Sequence, residues 1–196
     1  MARPPARDQA VVVPPASDAP DSGHWLPADW NHSSRHDLPT GHHLRPIRSS
    51  DVDLHLRAVL ESQERLWSIY GSARQWPPST LTVEQDREQL ACCEANAAQH
   101  RSFVYALFDL GETELLGCVH IDPDPVDGVT AAVSWWVVDW LVGSPIERAL
   151  DELVPAWLAA DWPFADSPDG TVRAGGNCAS DVRVSVRGQT PSPSGQ

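Results

Sequence analysis

The chain has 196 residues, of which 41% are hydrophobic, and its formal net charge is −13 at pH 7. This length and composition predict one globular domain of ordinary size with flanking tails. The acidic balance argues against nucleic acid and against an anionic membrane surface as partners, because both are bound through Lys and Arg. The sequence contains neither an apolar run of membrane-spanning length nor a signal-peptide core, so we expect a cytoplasmic protein.

The N-terminal segment, residues 1–42, is rich in proline, aspartate and serine and has no periodic apolar pattern. It buries too little apolar area to offset its ordering entropy, so we expect a disordered Pro-rich arm. Trp25 and Trp30 are exceptions, and we expect them to pin the end of the arm onto the domain. The histidines in and beside the arm have irregular spacing and do not predict a metal site: His24, His32, His36, His42 and His43.

A short strand and a long helix are predicted next. Residues 44–48 (LRPIR) have the pattern of an edge strand, where proline is tolerated. Ser49-Ser50-Asp51 then caps a helix from about Val52 to Tyr70. The apolar spacing of this helix is broken near Ser62, and Gly71 is expected to end it.

A second helix and three strands follow in order. Thr82 and Gln85 have the spacing of a capping box, which opens a helix to about His100. Three apolar segments separated by turn residues then predict a meander with strands at 103–108, 115–121 and 129–138. This order of elements predicts an α+β domain with a mostly antiparallel sheet flanked by helices.

The third strand leads directly into a strong helix start at residues 143–147, Gly-Ser-Pro-Ile-Glu. Ser144 is predicted as the N-cap, Pro145 as the first helical residue and Glu147 as the reciprocal partner of a capping box. The N–H groups at such a helix start are a common phosphate-binding site. Residues 165–196 are rich in Gly, Ser and Pro and predict a flexible tail, with one weak strand candidate at 181–186.

Other chemical signatures are weak. The four cysteines lack zinc-site spacing and are expected to be free thiols in a reducing compartment: Cys92, Cys93, Cys118 and Cys178. The sequence contains no GxSxG, P-loop, HExxH or GxGxxG motif.

The order of elements resembles that of the GNAT (acyl-CoA N-acyltransferase) superfamily, and three segments carry the resemblance. Residues 44–53, LRPIRSSDVD, are similar to the opening of the family's first strand and helix. Residues 103–123, FVYALFDLGETELLGCVHIDP, are similar to its second and third strands. Residues 134–137, SWWV, resemble the GYWV of its fourth strand. The resemblance covers about residues 43–164 and implies a GNAT-like α+β domain over that range.

The resemblance also implies an activity and a site. Members transfer an acetyl group from acetyl-CoA to an amine by direct attack, which here implies a small-molecule or peptide amine as acceptor. Whether the chain forms a homodimer stays an open question at the level of sequence. The pantetheine arm lies against the fourth strand and the pyrophosphate at the next helix start. The cofactor-binding residues implied for this chain are Val137, Val138, Gly143, Ser144 and Arg148.

Three residues depart from the family's pyrophosphate loop, Q/R-x-x-G-x-G/A: Val142, Pro145 and Glu147. Pro145 has no N–H, and the Glu147 carboxylate puts negative charge where a diphosphate would arrive. Three interpretations therefore stay open at this point. The chain is a transferase that binds CoA with a variant loop, a catalytically inactive GNAT-fold binding or assembly module, or a GNAT domain left incomplete by its tail.

Catalytic residues stay unknown at the level of sequence. His120, Asp122 and Asp139 lie on or beside the strands where a general base would act, but residues of these types at such positions are more often ordinary strand or turn residues. The family's tyrosine acid lies after the fifth strand, whereas the last tyrosine of this chain is Tyr105. That role is either absent or filled by another residue.

Overall fold

The computed structural model describes residues 25–27, 29–123 and 131–164, together with the backbone of two strands at 171–175 and 182–185. The helices are α1 (Val52–Glu61), α2 (Gln63–Arg74), α3 (Val83–Ala98) and α4 (Pro145–Asp161). The strands are β1 (His36–Asp37), β2 (His43–Pro46), β3 (Phe103–Phe108), β4 (Leu115–Pro123), β5 (Ala131–Val137), β6 (Thr171–Gly175) and β7 (Val182–Ser185). Short 3-10 turns lie at Ser49–Asp51 and Asp139–Leu141.

These strands form one sheet in which spatial order follows chain order from β1 to β7. Neighbouring strands are antiparallel except β5 and β6, which are parallel. A parallel pair needs a crossover, and α4 lies in the connection between these two strands. The predicted α+β class with a mixed, mostly antiparallel sheet flanked by helices is confirmed.

The helices cover the sheet on two sides, and the adjacent tryptophans of β5 mark the two faces. Trp136 lies 6.4 Å, ring to ring, from His55 of α1. Trp135 points the other way and donates its indole N–H to Asp151 of α4 at 2.7 Å. This is the alternation that a strand requires. Where β4 passes β5, a Cβ on Gly117 would lie 2.1 Å from the Trp136 carbonyl oxygen, so only glycine suits this close approach.

The predicted break between α1 and α2 is confirmed at Ser62, which has φ −115° and ψ 13°. The predicted end at Gly71 is wrong, because α2 continues to Arg74 and ends at Gln75 in a left-handed conformation with φ 52°. Gly71 lies beneath the Trp67 ring, where an added Cβ would come within 2.6 Å of it. Its small size therefore serves packing rather than termination. The capping box of Thr82 and Gln85 is confirmed as the start of α3.

An ion cluster of buried His43, Arg45 and Asp51 with the partly exposed Glu112 ties β2 to the β3–β4 hairpin. The Arg45 guanidinium donates two hydrogen bonds to the Asp51 carboxylate, at 2.8 and 2.9 Å, and contacts Glu112 at 2.8 Å. Glu112 also accepts from buried His43 at 2.9 Å. These bonds lower the pKa of Glu112 to about 2, the Arg45 bond first and the His43 bond second.

The structure corrects the predicted boundary between arm and domain. The pinning by Trp25 and Trp30 is confirmed, since their indole N–H groups donate to the carbonyls of His100 and Asp161. The predicted disorder is wrong for the residues that follow, because Leu38 is buried and β1 pairs with β2. Part of the 25–42 segment therefore belongs to the folded domain. Residues 1–24 lie outside the described residues.

The predicted flexible tail also contains two strands of the sheet. β6 pairs with β5 from Ala131 opposite Val172 to Ser134 opposite Gly175. β7 pairs antiparallel with β6 and confirms the weak strand candidate at 181–186. The tail prediction is wrong for these residues, because pairing with β5 supplies order that local composition does not indicate. Within the described residues, no helix is both long and apolar enough to span a membrane.

Candidate functional site

In the described part of the chain, the edge of β5 that faces β6 loses its strand partner after Ser134. Pairing with β6 reaches Ser134, whereas pairing with β4 continues to Val137 opposite Gly117. The Val138 N–H donates to the Leu116 carbonyl on the β4 side at 2.9 Å. Because main-chain polar groups of successive residues point to opposite sides of a strand, the N–H and C=O groups of Trp135 and Val137 point away from β4. Beyond Ser134 they face an edge that no described strand covers.

Arg65 of α2 contacts this edge. Its guanidinium donates one hydrogen bond to the Val137 carbonyl and another, at 2.6 Å, to the Asp139 carboxylate. Asp139 is fixed in turn through its N–H, which donates to Ser62 Oγ at 3.0 Å. No pattern in the sequence indicates this role, because Arg65 has the spacing of an ordinary surface cation on an amphipathic helix.

Val138 does not lie as the resemblance implied. Its N–H is committed to Leu116, and its carbonyl accepts from the N–H of Leu141 at 2.9 Å in the 3-10 turn after the strand. Neither group faces the open edge. Val138 therefore offers no main-chain group to this edge, and its role in cofactor binding stays a prediction, whereas Val137 directs its carbonyl to that edge. Trp135, which is not among the residues that the resemblance implies, shares that direction.

The start of α4 follows directly and is capped by its own side chains. Ser144 Oγ accepts the Glu147 N–H at 3.2 Å, which confirms Ser144 as the N-cap and Pro145 as the first helical residue. The Glu147 carboxylate accepts the N–H of Gly143, not that of Ser144, so the predicted reciprocal capping box is displaced by one residue. Gly143 makes this turn with φ 78°.

This capping leaves few donors for an anion. The Ser144 N–H is bonded to the Leu141 carbonyl at 2.9 Å. Pro145 has no N–H, so the Ile146 N–H is the donor of the first turn that has no partner among the described residues. Arg148 supplies a nearby cation and donates to the Gly143 carbonyl at 2.7 Å. Among the described residues, the loop therefore presents one amide without a partner and one arginine beside it.

The three candidate bases have different surroundings. Asp139 is held by Arg65, and Asp122 accepts from Arg74 at 3.1 Å. His120 on β4 faces the α2 side, 6.5 Å ring to ring from Tyr70. Burial, with Arg74 and His55 nearby, lowers the pKa of His120 to about 3. His120 is therefore neutral at pH 7 and can accept a hydrogen bond, but it is a weak base.

Both tyrosines of the chain belong to the buried core. Tyr70 is 9% exposed on α2 and Tyr105 is fully buried on β3. Burial raises the pKa of both hydroxyls. Tyr105 lies between His32 and Trp157 on the α4 side, away from the edge of β5. Tyr70 lies on the same face as His120 and Ser134. The sequence indicates Tyr70 only as the expected end of a helix.

A small depression also lies near the end of β5. Its volume is about 60 Å³, and it is lined by residues of α1, by the start of β4, and by Val138 and Trp140. Such a volume holds one or two water molecules but not a pantetheine arm. The open edge of β5, not this depression, is therefore the structural candidate for a ligand site.

Comparison with known proteins shows likeness in structure but not in sequence. No family model and no curated protein matches the chain. A ribosomal-protein-S5-alanine acetyltransferase from Vibrio fischeri has a TM-score of 0.52 at 16% identity, over 72% of this chain and 73% of that chain. An acetyltransferase from Salmonella typhimurium that modifies the N-terminal serine of ribosomal protein L7/L12 has a TM-score of 0.53 at 15% identity, over 71% and 73%.

A third similar structure contains a ligand. RimL, a ribosomal L7/L12 alpha-N-protein acetyltransferase in complex with coenzyme A, has a TM-score of 0.52 at 17% identity, over 70% of this chain and 71% of that chain. These structures are GNAT acetyltransferases. The resemblance drawn from the sequence is confirmed at the level of the fold, and the chain has the GNAT fold.

Proposed function

We propose that the chain is an N-acetyltransferase that transfers an acetyl group from acetyl-CoA to the amine of a peptide or protein. One observation carries the proposal. In a GNAT fold, the uncovered edge of β5 runs directly into the N-terminus of α4. An extended, amide-containing ligand pairs with a strand edge, and a phosphate suits a helix start. Two similar structures, RimL and Mycobacterium smegmatis RimJ, contain coenzyme A or its disulfide.

The residues present fit an acyl-CoA, although with fewer donors than the family motif supplies. The main-chain groups of Trp135 and Val137 are directed to the edge where a pantetheine arm would pair. The Ile146 N–H and the Arg148 guanidinium would hold the diphosphate, with Gly143 and Ser144 shaping the turn. We therefore propose a cofactor site that binds more weakly than a complete glycine-rich loop.

Acetyl-CoA supplies an activated thioester, and transfer forms a C–N bond while the C–S bond breaks. The attacking amine must reach the site neutral, and the proton that it loses during transfer is taken up by the departing CoA thiolate, which leaves as a thiol. His120 is a weak base, because its pKa lies at about 3, and Asp122 and Asp139 are held in ion pairs. The site therefore favours an amine that is already partly neutral near pH 7. An α-amino group, with a pKa near 8, meets this condition better than a lysine, with a pKa of about 10.4.

The acceptor we propose is accordingly the N-terminal α-amine of a peptide or protein. The similar structures support this choice of acceptor. Two of them are named as enzymes that acetylate ribosomal protein L7/L12, one of them at its N-terminal serine. The net charge of −13 would attract a basic acceptor chain. Cytoplasmic localisation and dimerisation stay predictions.

Two measurements test the proposal. Acetyl-CoA at 100 times its Kd should stabilise the fold by about 2.7 kcal/mol, which raises Tm by several degrees. Thiol release should then be faster with a peptide that has a free N-terminus than with a peptide that carries lysine but has a blocked N-terminus. Absence of saturable acetyl-CoA binding would overturn the proposal in favour of a non-catalytic binding module. Equal rates with both peptides would overturn the α-amine alone.

A further inference from the structure

The break between α1 and α2 meets the end of β5 at one polar junction. Ser62, which is fully buried at the break, accepts the Asp139 N–H at 3.0 Å. Asp139 binds the Arg65 guanidinium at 2.6 Å, and Arg65 in turn donates to the Val137 carbonyl. We refer to Arg65, Asp139 and the Val137 carbonyl as the Arg65 clasp. The clasp holds the first turn of α2 against the far end of the strand.

The clasp lies on the edge that the proposed function needs. The Val137 carbonyl points away from β4, on the side where β6 no longer pairs with β5. The Arg65 side chain is 22% exposed, so it lies largely within the fold at this point. An extended ligand that pairs with β5 would use the same carbonyl and the same space. A hydrogen bond from a charged guanidinium is stronger than one from a neutral amide. An amide of the ligand therefore does not readily displace Arg65 from the carbonyl.

We propose that Arg65 is a gate for the acyl-CoA site. In the closed state the guanidinium donates a hydrogen bond to the Val137 carbonyl, and ligand binding requires this hydrogen bond to break. The inference rests on the proposed function and deepens it. Because a ligand that binds only the open state loses affinity in proportion to the closed population, removing the clasp should tighten CoA binding. A residue that directly bound the cofactor would have the opposite effect when removed.

The chain offers a matched control. Arg74 lies on the same helix and pairs with Asp122 at 3.1 Å, away from the Val137 carbonyl. Arg65→Met and Arg74→Met remove the same charge from α2 and keep an apolar stem. Asp139→Asn and Asp122→Asn form a second matched pair, which weakens each ion pair from its acidic side. Measurements at raised ionic strength reduce the general effect of the lost charge on a polyanionic ligand.

The test is calorimetric titration of the full chain with CoA at 0.3 M salt, a concentration at which the Debye length is about 6 Å. Arg65→Met should lower the Kd by about 3- to 10-fold, as expected when a largely closed state is removed, and Arg74→Met should leave it within 2-fold. Asp139→Asn should also tighten binding relative to Asp122→Asn, which gives a second reading if Arg65→Met does not fold.

The outcomes separate the gate from the proposed function. Binding by Arg65→Met where the wild-type chain shows none would support the gate. Equal or weaker binding by Arg65→Met, with binding intact in the wild-type chain, overturns the gate and leaves the proposed function standing. Absence of binding in every variant overturns both.

Discussion

The carboxylate of Glu147 provides the sharpest test of how the α4 loop would hold a diphosphate. This carboxylate accepts the Gly143 N–H at the helix start, so a bound phosphate must share its surroundings or displace it. A unit charge about 5 Å away costs roughly 0.8 kcal/mol in a water-like dielectric, and more where solvent is excluded. Displacing the hydrogen bond adds about 1 kcal/mol. Together these terms weaken CoA binding by roughly 2 kcal/mol, or about 30-fold.

Two substitutions separate these terms. Glu147→Gln removes the charge and keeps an acceptor for the Gly143 N–H, so the Kd for CoA should fall by about 4-fold at low salt and by less at high salt. Glu147→Ala removes both terms, so the Kd should fall by about 30-fold. Glu152→Gln is the matched control, because Glu152 is an exposed carboxylate further along the same helix.

The assay is titration calorimetry with CoA, with the Tm of each variant measured alongside because Glu147 also supports the helix start. If Glu147→Ala binds CoA no better than the wild-type chain, the carboxylate does not compete with the diphosphate. Equal gains from Glu147→Gln and Glu152→Gln would show a general effect of charge and would refute the local account of the loop.

Three further predictions concern the fold. Arg45 holds the pKa of Glu112 at about 2, below its unfolded value, so this pair contributes stability above about pH 4.5 that is lost as pH falls towards 2. The unfolding free energies of the wild-type chain and Glu112→Gln should therefore converge over that window in urea titrations. Gly117→Ala should destabilise by more than about 2 kcal/mol through its main-chain clash, whereas Gly111→Ala, whose nearest contact is 3.6 Å, should change little in the same titrations. A fragment of residues 43–164 should unfold at a lower Tm than the full chain, because it lacks β1 and β6; an unchanged Tm would contradict the corrected boundaries.

Local hydrogen bonding explains which elements the sequence predicted well. Thr82 and Gln85 satisfy each other within one turn, and Ser144 caps α4 in the same way. Strand β3 matches its predicted range of 103–108 because its turn and its apolar run are both short-range signals. The GNAT resemblance rested on this order of elements, and the fold agrees.

Contacts between distant segments explain the rest. β6 is a strand because it pairs with β5 across the α4 crossover, and its five residues carry no strong strand pattern of their own. The fixed part of the N-terminal arm depends on bonds such as that from Trp25 to the His100 carbonyl. The link from Arg65 to the Val137 carbonyl joins residues 72 positions apart. No periodicity or motif indicates which surface arginine will reach a strand edge.

The residues that the resemblance implied lie close together, and their role in cofactor binding stays a prediction. Val137, Gly143, Ser144 and Arg148 lie at the junction of β5 and α4, but Val138 directs its groups elsewhere. A shift of one residue in a strand reverses the direction of its main-chain groups, and sequence alignment does not resolve that shift.

Amide hydrogen exchange of the full chain, with and without saturating CoA, tests the central claim most directly. Binding at the proposed site should slow exchange in peptides that cover 134–138 and 143–148, where the edge of β5 and the start of α4 supply the donors. Slowed exchange confined to other segments, or no change at any CoA concentration, would contradict the account.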